Sequence, residues 1–177
     1  DEILLPIFRK YWPDSKFFGA NALCIYRLLI SVYIAYLLPN FVQTRFQIFF
    51  WFLLGTSFDF FDGLVARAKN TVSVFGAFLD RLADKTLVVP LIANFFWPLS
   101  RWLALTIIIL EACSIVVAMA GIWLKINISS NWIGKWKMAL QVIIAIMIFF
   151  IPLEIWQKYN LSVLVWFMIA TALSSFL

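Results

Sequence analysis

Long apolar runs alternate with short polar interruptions along this chain. A helix needs about 20 apolar residues to cross a hydrocarbon core of roughly 30 Å. Runs of that order fall at 21–38, 46–67, 74–97, 102–124, 135–151 and 161–177, with Pro39 closing the first. The pattern predicts an all-α integral membrane protein with six transmembrane helices. Residues 1–18 differ, because Phe8, Tyr11, Trp12, Phe17 and Phe18 are set among Arg9, Lys10, Asp14 and Lys16, with a break at Pro13. That mixture predicts an interfacial amphipathic segment. No Ser/Gly-rich linker or fixed-period repeat marks a further boundary, so the expected organisation is this segment at 1–18 and one membrane domain at 19–177.

Composition supports the pattern. Of 177 residues, 64% are hydrophobic and only 14 are Lys or Arg and 9 Asp or Glu, too few charges to cover a soluble domain of this size. The net charge of +5 does not read as a nucleic-acid surface, because the basic residues are spread between the spans. With the N-terminus cytoplasmic, Arg9, Lys10, Lys16, Arg67, Lys69, Lys125, Lys135 and Lys137 fall on the inner side and only Arg45, Arg101 and Lys158 on the outer. The positive-inside rule then predicts a multi-pass topology with both termini cytoplasmic. There is no histidine, which excludes Ser/His and Cys/His catalysis and leaves acid-base work to carboxylates. Cys24 and Cys113 fall inside spans without a CxxC partner and read as core packing. The first residues show no secretory signal pattern, so insertion through the chain's own spans is expected.

Against this background stand Asp59, Asp62, Asp80 and Asp84. A carboxylate at the centre of a span costs about 2.5 to 3.5 kcal/mol even on mild insertion scales, so four close together need compensating charge. Asp59 and Asp62 are three apart and share a face of the second helix; Asp80 and Asp84 are four apart and share a face of the third. An antiparallel hairpin folded near 69–73 is expected to bring Asp59 opposite Asp80 and Asp62 near the level of Asp84. Four carboxylates without His or Cys form a hard, oxygen-rich site suited to magnesium, manganese or calcium, and magnesium takes further ligands from water and phosphates. Two metal ions are a reasonable complement. Gly63 follows Asp62 and Gly76 lies one turn before Asp80, where bare backbone allows either close approach of a ligand or close helix packing. The competing structural reading is an ion network closed by Arg67, Arg81 and Lys85. From another class, a divalent-cation transporter also places acids in spans, though few polar residues continue the path to the far side.

In order, Asp59, Asp62, Gly63, Ala66, Arg67, Gly76, Asp80 and Asp84 form DxxDGxxAR, eight residues, then GxxxDxxxD. This closely resembles the signature of the CDP-alcohol phosphotransferases, which transfer a phosphoalcohol moiety from a CDP-activated donor to an acceptor hydroxyl and release CMP. The motif covers 26 residues, and the six-span layout resembles the family over nearly the whole chain. The resemblance implies that Asp59, Asp62 and Asp80 ligand a divalent metal, Mg2+ or Mn2+. It implies that Asp84 contributes to a second metal site and acts as general base, and that Asp62, Gly63, Ala66, Arg67, Gly76 and Asp80 contact the CDP group. A homodimer is also implied.

Asn21, Leu23 and Arg27 resemble the N-x-L-x-x-x-R opening of the phosphatidylglycerophosphate synthase and cardiolipin synthase branch. Leu82-Ala83-Asp84-Lys85 and the segment with Gly134, Lys135, Lys137 and Gln141 resemble its later motifs, with Met138 where threonine is usual. The donor implied is CDP-diacylglycerol and the acceptor glycerol 3-phosphate. Lys135, Lys137, Glu111, Arg27 and Asn21 are the acceptor-binding candidates, and Lys125 a further phosphate contact. Arg27 alternatively reads as a residue snorkelling to the interface. One departure bears on the acceptor: Glu111 fits the branch, but Leu110 and Ala118 stand where it commonly carries arginines. An inositol phosphate, a second lipid such as phosphatidylglycerol, or a small alcohol therefore remain alternative acceptors.

Overall fold

The computed structural model describes residues 19–69, 74–124, 132–159, 163, 165, 166, 169 and 170. All regular structure among them is helical: α1 (Ala20–Leu37), a 3-10 turn (Leu38–Asn40), α2 (Phe41–Ala68), α3 (Val74–Phe96), α4 (Arg101–Trp123), α5 (Trp132–Phe150) and the short α6 (Leu153–Lys158). Two helical stretches, Ala20–Ala68 and Arg101–Gly121, are long and apolar enough to cross a membrane, and Ala139–Phe150 is a shorter apolar helix. The amphipathic segment expected at 1–18 lies outside the described residues, as does most of the run at 161–177.

Helix boundaries follow local chemistry. Pro39 sits in the first positions of the 3-10 turn, where its missing N–H costs nothing. Thr44 Oγ1 donates to the carbonyls of Leu37 and Asn40, so the polar stretch after Pro39 continues as helix. For that reason α2 begins at Phe41, five residues before the expected span. The expected loop after 151 contains α6, which starts after Pro152 with Glu154 in its first turn and Lys158 in its last, the charge order a helix dipole favours.

The chain divides into two compact units, Asp1–Leu87 and Val88–Leu177. In the first, Leu23, Ile30 and Ile34 of α1, Ile48, Phe52 and Leu64 of α2, and Leu79, Ala83 and Leu87 of α3 are buried. Gly55 sets the closeness of α2 to α3: a Cβ there would lie 3.1 Å from both Leu87 methyl carbons. In the second unit, Trp156 of α6 is buried and packs edge-to-face on Phe95 and Phe96. Large apolar side chains such as Val32, Phe46, Phe50 and Trp102 face outward, the reverse of a water-soluble surface and the arrangement lipid contact favours.

Candidate functional site

In the first unit, α1, α2 and α3 converge on one cluster of charge. α2 contributes Asp59 and Asp62, α3 contributes Asp80 and Asp84, and α1 contributes Arg27, which is only 1% exposed. Arg27 Nη1 lies 2.9 Å from Asp59 Oδ1 and 3.0 Å from both Asp62 Oδ2 and Asp80 Oδ1, while Nη2 pairs with Asp84. An Nη group has two hydrogens. They go to Asp62 and Asp80, and Asp59 is held as an ion contact. The snorkelling expected of Arg27 as an alternative is not observed: its guanidinium turns inward.

Ser31 Oγ, one turn on from Arg27, donates to the Arg27 carbonyl at 2.8 Å, and Thr86 Oγ1 of α3 approaches Ser31 Oγ at 3.4 Å. Ser31 thus sets a hydroxyl of α1 beside one of α3 next to the cluster. The hairpin brings Asp59 close to Asp80, as expected, and departs from expectation at Asp62. Ligand atoms of Asp59, Asp80 and Asp84 lie within 4.8 Å of one another, and those of Cys24, Asp62 and Asp80 do likewise. Asp62 therefore groups with Asp80 and not with Asp84, because residues equidistant from the connection between α2 and α3 meet.

The donor set fits a divalent cation. Asp59, Asp80 and Asp84 bring carboxylate oxygens to within 4.8 Å of one another, close enough for a single ion to bridge. Hard cations are favoured by that all-oxygen trio.

Beside the cluster is a cavity of about 240 Å³. Asp62, Gly63, Ala66 and Arg67 line it from α2, Gly76, Ala77 and Asp80 from α3, and Ala20, Asn21 and Cys24 from α1. All six residues expected to contact CDP thus border one space, together with Asn21. Among the described residues, a Cβ at Gly63 would meet only Arg67 Nη2, at 3.7 Å, so no packing requirement for this glycine is seen there. Arg67 Nε donates to the Gly63 carbonyl at 3.0 Å, which lays the exposed guanidinium along α2 at the cavity. Arg81 is exposed and Lys85 half-buried.

Cys24 is more than core filling. It is buried and its thiol donates to Asp62 Oδ2 at 3.3 Å. The signal for it lies in α1 itself, where Asn21, Cys24, Arg27 and Ser31 repeat at spacings that place them on one helical face. Cys113 is exposed and so does not fill a core.

Glu111, another acceptor candidate, lies in the second unit. It is buried, accepts from Gln141 Nε2 at 2.7 Å, and Ser114 Oγ donates to its carbonyl and approaches its Oε2. The bond joins α4 to α5. The side chains of Lys135 and Lys137 and residue Lys125 are outside the described set.

The family model for CDP-alcohol phosphatidyltransferase matches residues 17–176 of the chain. Among curated proteins, the chain is similar to the CDP-diacylglycerol--glycerol-3-phosphate 3-phosphatidyltransferases of Salmonella typhimurium and Escherichia coli, each 29% identical over 147 residues, covering 74% of this chain and 79% of theirs. The protein of the same name from Pectobacterium atrosepticum is 31% identical over 130 residues, covering 64% of this chain and 70% of that one. No solved structure matches the chain.

Proposed function

The chain belongs to the CDP-alcohol phosphatidyltransferase family, and from that premise we propose that it transfers a phosphatidyl group from CDP-diacylglycerol to glycerol 3-phosphate, giving phosphatidylglycerophosphate and CMP. The observation that carries this reading is the single cavity bordered by Asp62, Gly63, Ala66, Arg67, Gly76 and Asp80 directly beside four clustered carboxylates. The relatives' names supply the substrates.

The acceptor hydroxyl attacks the β-phosphorus of the donor. A bond forms from that oxygen to phosphorus, the pyrophosphate bond breaks, CMP leaves, and the hydroxyl proton passes to a base. Asp59, Asp62, Asp80 and Asp84 would hold Mg2+ or Mn2+, as two ions. Held there, such an ion would supply charge to offset that on the phosphoryl oxygens and would acidify the acceptor hydroxyl. Asp84 takes the proton. Arg67, pinned to the Gly63 carbonyl, presents a fixed guanidinium to the donor's phosphates, and bare backbone at Gly63 admits the nucleotide closely. Lys135, Lys137, Glu111, Arg27 and Asn21 are the residues that the resemblance to the family assigns to the acceptor.

In this reading six helices span the membrane, residues 1–18 lie in the interface, the cavity opens to the cytoplasm, and the acyl chains of the donor leave between helices into lipid. The functional unit is a homodimer. The test is direct: purified protein with CDP-diacylglycerol, Mg2+ and glycerol 3-phosphate should release CMP. Release only with inositol phosphate, phosphatidylglycerol or a small alcohol would reassign the acceptor. No release with any acceptor would overturn the enzyme reading, and metal flux into liposomes that survived Asp84→Asn would favour a transporter.

A further inference from the structure

Arg27 is bound in an unusual manner. Its guanidinium touches four carboxylates through Nη1 and Nη2 alone, while its Nε is buried with no hydrogen-bond partner. A guanidinium can grip a carboxylate through two parallel N–H groups, and Nε takes part in no such pair here. Here the head is held only at its tip, by groups arranged around it as they would be around any small cation. Ser31 Oγ donates to the Arg27 carbonyl within α1, a bond in which the Arg27 side chain takes no part. Adjoining space exists, since the cavity is bordered by Asp62 and Asp80, two of Arg27's four partners, and by Cys24 one turn away.

We propose that Arg27 is an exchangeable counter-ion, which holds Asp59, Asp62, Asp80 and Asp84 together in the metal-free protein and yields its place when a divalent cation binds. This rests on the metal-site part of the function proposed above. A divalent ion contributes twice the charge of the guanidinium and accepts the same oxygens as ligands. The two cations cannot both occupy the centre of the cluster, because they repel each other and compete for the same lone pairs. Arg27 is therefore a positioning residue: it keeps the carboxylates gathered within the bilayer at the expense of metal affinity.

The experiment measures Mn2+ binding by calorimetry on the purified wild type and on Arg27→Gln, with thermal midpoints in the presence and absence of Mn2+. Arg27→Gln should bind Mn2+ about tenfold tighter or more, because a unit charge a few ångströms from the ion has been removed. Its metal-free midpoint should fall and its Mn2+-induced rise should exceed that of the wild type. Equal or weaker Mn2+ binding in the variant would overturn the proposal while leaving the metal site standing; absence of binding in the wild type would remove the site and the proposal together. Should Arg27→Gln fail to fold, 15N-arginine-labelled wild type decides the matter. The Arg27 side-chain signals, assigned by their loss in Arg27→Lys, should move on Mg2+ titration with the midpoint of binding, and unmoved signals at saturating bound Mg2+ would refute the exchange.

Discussion

Cys24 Sγ lies 3.3 Å from Asp62 Oδ2 and gives that carboxylate a donor from α1, in addition to the one from Arg27. Cys24→Ser keeps a donor and should retain activity within about threefold, whereas Cys24→Val should lower kcat/KM about fivefold, the equivalent of one ordinary hydrogen bond of about 1 kcal/mol. Steady-state CMP release on the two variants checks this; equal losses would show that the donor is irrelevant.

Each of Asp59→Asn, Asp62→Asn, Asp80→Asn and Asp84→Asn should reduce transfer by about 100-fold or more, since each removes a proposed metal or base function. None should lower the metal-free thermal midpoint greatly, because the acids lie close together and losing one charge relieves their mutual repulsion. Full activity in any variant would cancel that residue's assignment.

Gly55 and Gly63 should separate cleanly. Gly55→Val forces a side chain against Leu87, already 3.1 Å from a Cβ, and should cost about 1 to 3 kcal/mol by overpacking, seen as a lower thermal midpoint. Among the described residues, Gly63→Ala meets nothing nearer than 3.7 Å, so its midpoint should hold while its affinity for the CDP group falls about tenfold by loss of close approach. Calorimetric CDP binding measures the second effect.

Gln141→Leu leaves the buried Glu111 carboxylate short of a donor at 2.7 Å and should destabilise by about 1 to 3 kcal/mol. Glu111→Gln should be milder, because an amide oxygen still accepts from Gln141. Thermal midpoints in the opposite order would mean that the α4–α5 bond contributes little.

Replacing both Lys135 and Lys137 by Ala should raise KM for glycerol 3-phosphate more than KM for CDP-diacylglycerol. Equal increases would argue against their contact with the acceptor.

The helices containing the site were legible in the sequence because apolar run length is a direct readout of span length: α3 at Val74–Phe96 and α4 at Arg101–Trp123 fall within a residue of the expected 74–97 and 102–124. Polar stretches were less informative, since Gln43, Thr44 and Arg45 continue α2 by side-chain bonds that hydropathy does not register. Within the site, the spacings of Asp59, Asp62, Asp80 and Asp84 placed each pair on a helix face. Which residue of a third helix would meet those faces depends on packing, and periodicity within one helix carries no such information. Arg27 and Cys24 therefore entered the cluster from α1 only in three dimensions, and Asp62 found Asp80 instead of Asp84.

Arg27 precedes all its partners in the chain, with Asp62, Asp80 and Asp84 following 35, 53 and 57 residues later. During synthesis the cation is therefore made first and the last of its acids only when about half of α3 has been added. A chain containing α1 alone has a buried-type arginine without any counter-charge, and one extended through α2 has two acids where the finished cluster has four. The four acids surround Arg27 only once α1, α2 and α3 are all present, so the centre belongs to the three helices together and to no pair of them.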